Sequence, residues 1–222
     1  SKNLSGYVFC AKSPSCGMER VKVYSPTGDP LQAKGIGVFS REIMKANPLL
    51  PCEENGRLND PIIRENFVAR VYAYRHWQAL VESGISKHKL TSFHAQYKYT
   101  VMSHNLVAYK ELGRLLARAD LPLQEMAEQY IRGLMAALTI KATRKNHSNT
   151  LSHIQGYFSK YLNKEQRKEL SEQVDAYRNG LVPLMVPLTL VNHYLLAHPN
   201  DYLAQQAYLN PYPESLKLRY GY

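Results

Sequence analysis

The pattern of the chain changes at Asn59, and no other feature limits its fold as much. Up to residue 58, short apolar runs at 6–11, 21–24 and 49–52 alternate with clusters of Gly, Pro and Ser such as Ser25-Pro26-Thr27-Gly28-Asp29-Pro30. One stretch in this part, about 37–46, has the period of a helix. From Asn59 the period is helical throughout: Asn59 or Asp60 caps, Pro61 sits in the first turn, and Ile63, Phe67, Val71, Tyr74 and Val81 form one stripe up to Gly84. Further helices are predicted over 87–103, 105–119, 122–141, 149–162 and 164–179, with Gly180 as a stop, then 188–197 after the breaks at Pro183 and Pro187, and a short one over 202–209. No strand pattern is read beyond Cys52.

The expected fold is therefore α+β. A partial α/β segment of Rossmann or flavodoxin type occupies residues 1–58, a linking helix 59–84, and an all-helical bundle 85–222. The first segment opens on what reads as a central strand and has too few elements to cover both faces of a sheet, so it is expected to be the C-terminal remainder of an α/β domain. No fixed-period repeat is present, which sets solenoids aside.

No apolar run approaches the roughly 20 residues of a membrane-spanning helix, and the first six residues lack a secretory pattern. The expectation is a soluble, cytoplasmic protein with no membrane partner. The net charge of +10 is unevenly placed. Between Lys87 and Arg167 there are thirteen Lys or Arg against five Asp or Glu, so that stretch carries +8.

Three cysteines, at 10, 16 and 52, are too few for a disulfide framework and match no zinc or ferredoxin spacing. Cys10 and Cys52 lie in apolar runs and read as small core residues. Cys16 stands in Ser13-Pro14-Ser15-Cys16-Gly17, between a proline-set turn and a glycine, where backbone amides are able to point at the sulfur. That placement suits a metal or cluster ligand. Glu53, Glu54 and Asp60 offer carboxylates, with nothing in their spacing to single out a general acid or base.

In the basic stretch, His88, His94, His104, His147 and His153 show no i, i+4 metal pairing. Mixed with Lys, Arg and tyrosines (Tyr97, Tyr99, Tyr109, Tyr157, Tyr161), they suit phosphate contact and base stacking, most of the tyrosines sealing helix contacts instead. The run from Thr143 to Thr150 reads as a polar, basic junction that ends at a helix N-terminus, either a phosphate clamp or a solvated loop in which Ser148 or Asn149 caps the next helix. Candidate RNA contacts are Arg114, Arg118, Arg144, Lys145, His147, His153, Tyr157 and Lys160.

Lys12-Ser13-Pro14-Ser15-Cys16-Gly17, Val21-Lys22-Val23-Tyr24, Gly35-Ile36-Gly37-Val38-Phe39 and Leu50-Pro51-Cys52-Glu53-Glu54-Asn55-Gly56-Arg57-Leu58 resemble the C-terminal part of the TudS-type thiouracil desulfidases. The segments 104–116, 153–158, 177–187 and 208–213 resemble the YbgA-type helical domain. Their order is that of the RudS-type transfer RNA 4-thiouridine desulfidases.

The resemblance implies a [4Fe-4S] cluster on three cysteines with one open iron, which takes sulfur from the thiocarbonyl while water replaces it, without net redox change at the base. Cys16 matches the last ligand. Ser13, Ser15 and Gly17 frame the cofactor loop, the serines orienting it, and Ser5 matches a serine that assists proton transfer. The first two ligands and an assisting glutamate belong to the family's N-terminal segment; neither Cys10 nor Cys52 sits at their places. The chain is accordingly expected to be part of a longer enzyme, inactive alone, with transfer RNA as partner. Two rival readings remain open: a desulfidase of free thiopyrimidines that binds no RNA, and a non-catalytic nucleic-acid or protein adaptor.

Overall fold

The computed structural model describes residues 4–219, so the outermost ends of the two sequence-read domains, 1–3 and 220–222, lie outside the described residues. It is an α+β fold with a helical domain. Two compact units divide the chain, residues 1–76 and 77–222, and the boundary falls within the long helix α2 (Pro61–Glu82).

The first unit holds β1 (Tyr7–Phe9), β2 (Val21–Tyr24), β3 (Pro30–Gly35), α1 (Val38–Ala46) and β4 (Cys52–Glu54). β1 and β4 pair in parallel, with Tyr7 opposite Cys52 and Phe9 opposite Glu54. Parallel neighbours need a long crossover, and α1 lies within it. Phe9, Leu50 and Cys52 are buried, with Tyr7, Met18, Ile43, Met44 and Tyr74 packed around them. Removing a side chain such as Phe9 from water is worth about 1.5–3 kcal/mol.

β2 and β3 form an antiparallel hairpin. Its turn is Ser25–Asp29, where the Gly28 amide donates to the Ser25 carbonyl at 2.9 Å and Gly28 takes a φ of +91°, open to glycine at no steric cost. The alternation in Leu31-Gln32-Ala33-Lys34 is short and lies between Pro30 and Gly35, so β3 was not expected; pairing with β2 makes it a strand. The third apolar run also shifts. Its strand is 52–54 and not 49–52, because pairing starts where the Pro51 carbonyl accepts from the Tyr7 amide at 2.9 Å.

α2 begins as read: Asp60 Oδ1 accepts from the amides of Ile62 (2.8 Å) and Ile63 (3.1 Å). The second unit continues with α3 (Lys87–His104), α4 (Leu106–Ala117), α5 (Leu123–Thr139), α6 (Arg144–Gln155), α7 (Lys164–Arg178), α8 (Met185–Ala197) and α9 (Asp201–Ala204). Ser86, Asn105, Asn163 and Asn200 cap α3, α4, α7 and α9, Asn163 in a reciprocal box with Gln166. Tyr99, Met102, Leu151, Ile154, Phe158, Leu170, Val174 and Val191 meet in one core. At the other end of α3, Trp77 packs edge-on to Phe93 and faces Tyr130.

Two helix starts differ from expectation. α6 starts at Arg144 behind a Thr143 cap, so the run 143–150 is helix and not a junction. Its Asn, Ser and Thr residues are weak helix formers and mask the period. Pro187 lies in the first turn of α8, where proline is tolerated, so it does not interrupt the chain. Among the described residues no helix is long and apolar enough to cross a membrane.

Candidate functional site

Every amide from Ser15 to Glu19 is already committed around Cys16. Ser13 Oγ accepts from the amides of Ser15 (3.3 Å) and Cys16 (3.1 Å), and the Ser13 carbonyl accepts from Gly17 (2.8 Å). Glu54 Oε1 accepts from Met18 (3.0 Å) and Glu19 (3.2 Å). The expectation that amides aim at the Cys16 sulfur is corrected here: these amides build the loop. The Ser13 hydroxyl braces the loop from within, while exposed Ser15 contributes its carbonyl.

The loop is also clamped by the start of α1. The amides of Val38, Phe39 and Ser40 donate to the carbonyls of Pro14 and Ser15, and that of Gly37 to Gly17. A Cβ on Gly37 would stand 2.2 Å from the Ser15 carbonyl oxygen, and one on Gly17 2.7 Å from that of Ser13, so backbones touch at both positions. Lys12 and Arg20, at either end, hold left-handed backbone at φ 63° and 57°, each costing about 1–3 kcal/mol. Cys16 is thereby held half-buried on a rigid loop. Ser5 lies half-buried in the bend before β1.

The carboxylates of β4 support this loop. Glu54, 1% exposed, also accepts from Arg20 Nη2 at 3.3 Å through its other oxygen. With three donors on it, Glu54 acts as a structural acceptor. Glu53 Oε1 accepts from Arg57 Nε (2.7 Å) and the Glu54 amide (3.0 Å), and that bond to Glu53 raises the Arg57 pKa. Behind them, burial depresses the Arg70 guanidinium, offset by Glu53 and Cys52, and its Nε has no hydrogen-bond partner among the described residues.

Cys52 is buried and its thiol is pushed up to about 11, mainly by burial, so it stays protonated at neutral pH. Cys10 is exposed, a correction to its core reading: Tyr7 and Phe9 face inward, which turns Val8 and Cys10 outward. No three His, Cys, Asp or Glu side chains among the described residues stand close enough to hold a metal ion. The described residues offer one loop thiol where a cluster of this kind takes three. They do not fit as its complete holder.

In the helical unit the candidate RNA contacts separate into two groups. Arg114, Lys145, His153 and Lys160 are exposed and make no hydrogen bond or ion pair among the described residues. Tyr157 is 37% exposed, stacked on Tyr202 with ring centroids 5.5 Å apart. Arg118 is exposed but bidentate on Asp120, at 3.2 and 2.6 Å. Arg144 lies over the Tyr177 ring and donates to its carbonyl at 3.1 Å, which gives it a structural role.

His147 turns inward and is withdrawn from RNA contact. Its Nδ1 meets the Tyr208 hydroxyl at 3.0 Å, and burial with nearby Arg219 pushes its pKa down to about 3, leaving the ring neutral. Tyr97 and Tyr99 are core residues, whereas Tyr161 is exposed and stacks on His198. Sequence reasoning missed Lys98, whose ammonium sits over the rings of Tyr99 (5.2 Å) and Tyr202 (4.9 Å). It also missed the Glu54 clamp, which bridges 36 positions.

Comparison with known proteins gives matches at both ends of the chain. Residues 1–55 match the family described as 2-thiouracil desulfurase, a likeness that points to desulfidase chemistry and an enzyme. Over 159 residues, 71% of this chain and 94% of the relative, the sequence is 29% identical to the "Uncharacterized protein YbgA" of Escherichia coli (strain K12). No solved structure matches the chain. Residues 98–213 match the family described as "Protein of unknown function (DUF1722)", and because that match spans more than half of its 222 residues, the chain belongs to that family.

Proposed function

We propose that this protein takes part in removing sulfur from thiolated uracil, with 4-thiouridine in transfer RNA as the substrate. The overall reaction is a hydrolysis: water supplies the oxygen of the new carbonyl, the carbon–sulfur bond breaks, and sulfide leaves with the protons, with no change of oxidation state. The observation that carries this reading is the desulfurase match over 1–55 together with the rigid loop that holds Cys16 inside it. Cys16 is proposed as one ligand of a [4Fe-4S] cluster, and Ser5 as a residue that helps move a proton.

The helical unit is proposed to hold the RNA. Its stretch of +8 supports that role, as do the exposed Arg114, Lys145, His153, Tyr157 and Lys160. Phosphate contacts of this kind give affinity without base choice and weaken as salt rises. The family description favours one other substrate, free 2-thiouracil.

The test incubates the full-length enzyme of which this chain is expected to be a part, reconstituted anaerobically with iron and sulfide, with thiolated transfer RNA and in parallel with free 2-thiouracil. Loss of near-ultraviolet absorbance from the RNA alone is the expected result. Loss from the free base alone assigns the second substrate, and no loss from either defeats the reading.

A further inference from the structure

A cavity of about 230 Å³ opens between α6 and α7, with Leu106 of α4 at its edge. We infer that it binds one 5′-phosphorylated ribose, as a nucleotide of an RNA strand; the choice of RNA rests on the function proposed above, while the cavity stands on its own geometry.

Its walls bring together two cations, Lys145 and Arg178, and one carboxylate, Asp175. Lys145 has no ion-pair partner among the described residues, and Arg178 reaches Asp175 only at 4.0 Å, with both side chains well exposed. A loose pair of this kind contributes little to stability, so both charges remain available to a ligand. Asn149, one turn beyond Lys145 on the same face of α6, is exposed and makes no hydrogen bond among the described residues. Buried Val174 supplies an apolar floor, and Leu106, 39% exposed, an apolar lip.

Size and charge select the ligand class. The volume lies below the roughly 300–1,000 Å³ of sites for drug-sized molecules, which leaves room for a phosphate and a sugar but not for a large ring system. Two cations suit a phosphodiester. The carboxylate argues against a simple anion hole and for a ligand that carries hydroxyl donors beside its charge, as ribose does. A carboxylate acceptor facing a 2′-hydroxyl distinguishes RNA from DNA. Leu106 and Val174 then offer an apolar surface to the sugar or base.

The test uses the whole chain labelled with nitrogen-15, titrated with uridine 5′-monophosphate, and fluorescent oligouridylate followed by anisotropy. The nucleotide should shift the backbone amides of 145–152 and 174–178. Lys145→Ala with Arg178→Ala should weaken oligouridylate binding at least ten-fold. Asp175→Asn should lower the preference for oligouridylate over its 2′-deoxy counterpart at least three-fold, and Lys168→Ala, outside the cavity, should change neither. Oligouridylate binding tighter than the mononucleotide supports a strand residue, whereas equal affinity overturns that source. Amide shifts confined to other helices, or wild-type affinity in the double variant, overturn the site. Retention of transfer RNA by the wild type is measured alongside: retention without the amide shifts defeats the cavity and spares the RNA reading, and shifts without retention do the reverse.

Discussion

Glu54 Oε1 holds the Met18 amide at 3.0 Å, tying the end of β4 to the loop that carries Cys16. The same oxygen takes the Glu19 amide, and the other takes Arg20. One buried carboxylate therefore fixes the exit of the loop while Ser13 fixes its entry.

Glu54→Ala leaves the amides of Met18 and Glu19 without their acceptor, while the exposed Arg20 keeps its pair with Glu19 at 3.3 Å. An unsatisfied buried donor costs about 1–3 kcal/mol, so urea unfolding should show a loss of at least about 2 kcal/mol. Glu54→Gln keeps an acceptor oxygen and should lose less. Equal stability of all three proteins would remove the clamp from the account.

Glycine contacts give a matched pair of tests. Gly37→Ala places a methyl against the Ser15 carbonyl, and should destabilise the chain by about 1–3 kcal/mol through overpacking. Gly113→Ala, inside α4 with nothing within 4 Å, should stabilise it by about 0.5–1 kcal/mol. Thermal melts that move in the same direction for both would contradict the close approach at Gly37.

The first unit was legible in its motifs more than in its contacts. The run of residues 13–17 identified the loop, but nothing in the sequence signals that Met18 and Glu54, 36 positions apart, meet, and their pairing appears only once β1 and β4 align. Cys10 was misplaced because an apolar run does not say which of its faces turns inward. Among the helices, the cap at Asp60 and the stop at Gly180, with φ +79°, were readable because a single residue decides each. The start of α6 was not, since Leu151, Ile154 and Phe158 hold it in place through tertiary burial. Contacts with Tyr177 and Tyr208 engage the Arg144 guanidinium and the His147 ring, which the sequence read as free basic groups.

Stability should rise with pH between about 4 and 6.5. Burial pushes His94 down to about 4 and His147 to about 3, each disfavoured further by a nearby cation. Each imidazole therefore binds a proton more weakly folded than unfolded. The unfolded chain takes up more protons below about 6.5, so stability is full above that value and falls as pH drops toward the folded values, by up to about 1.4 kcal/mol per pH unit for each group. Denaturation midpoints at pH 5 should lie below those at pH 7, and His147→Gln should flatten the slope. A profile level from pH 7 to 5 would contradict the buried neutral rings.

Alkylation of the native protein should separate the cysteines. At pH 7.5 iodoacetamide should label exposed Cys10 and spare Cys52, which is buried and whose thiol sits at about 11. Peptide mass spectrometry reads the difference, and rapid labelling of Cys52 would contradict its place in the core.

The most direct measurement counts 4-thiouridine in nucleosides digested from transfer RNA after incubation with the anaerobically reconstituted full-length enzyme and with its Cys16→Ala variant. The account predicts that the wild type converts 4-thiouridine to uridine with release of sulfide and that the variant loses at least a hundred-fold in rate. Equal conversion by the two proteins, or none by the wild type, would contradict it.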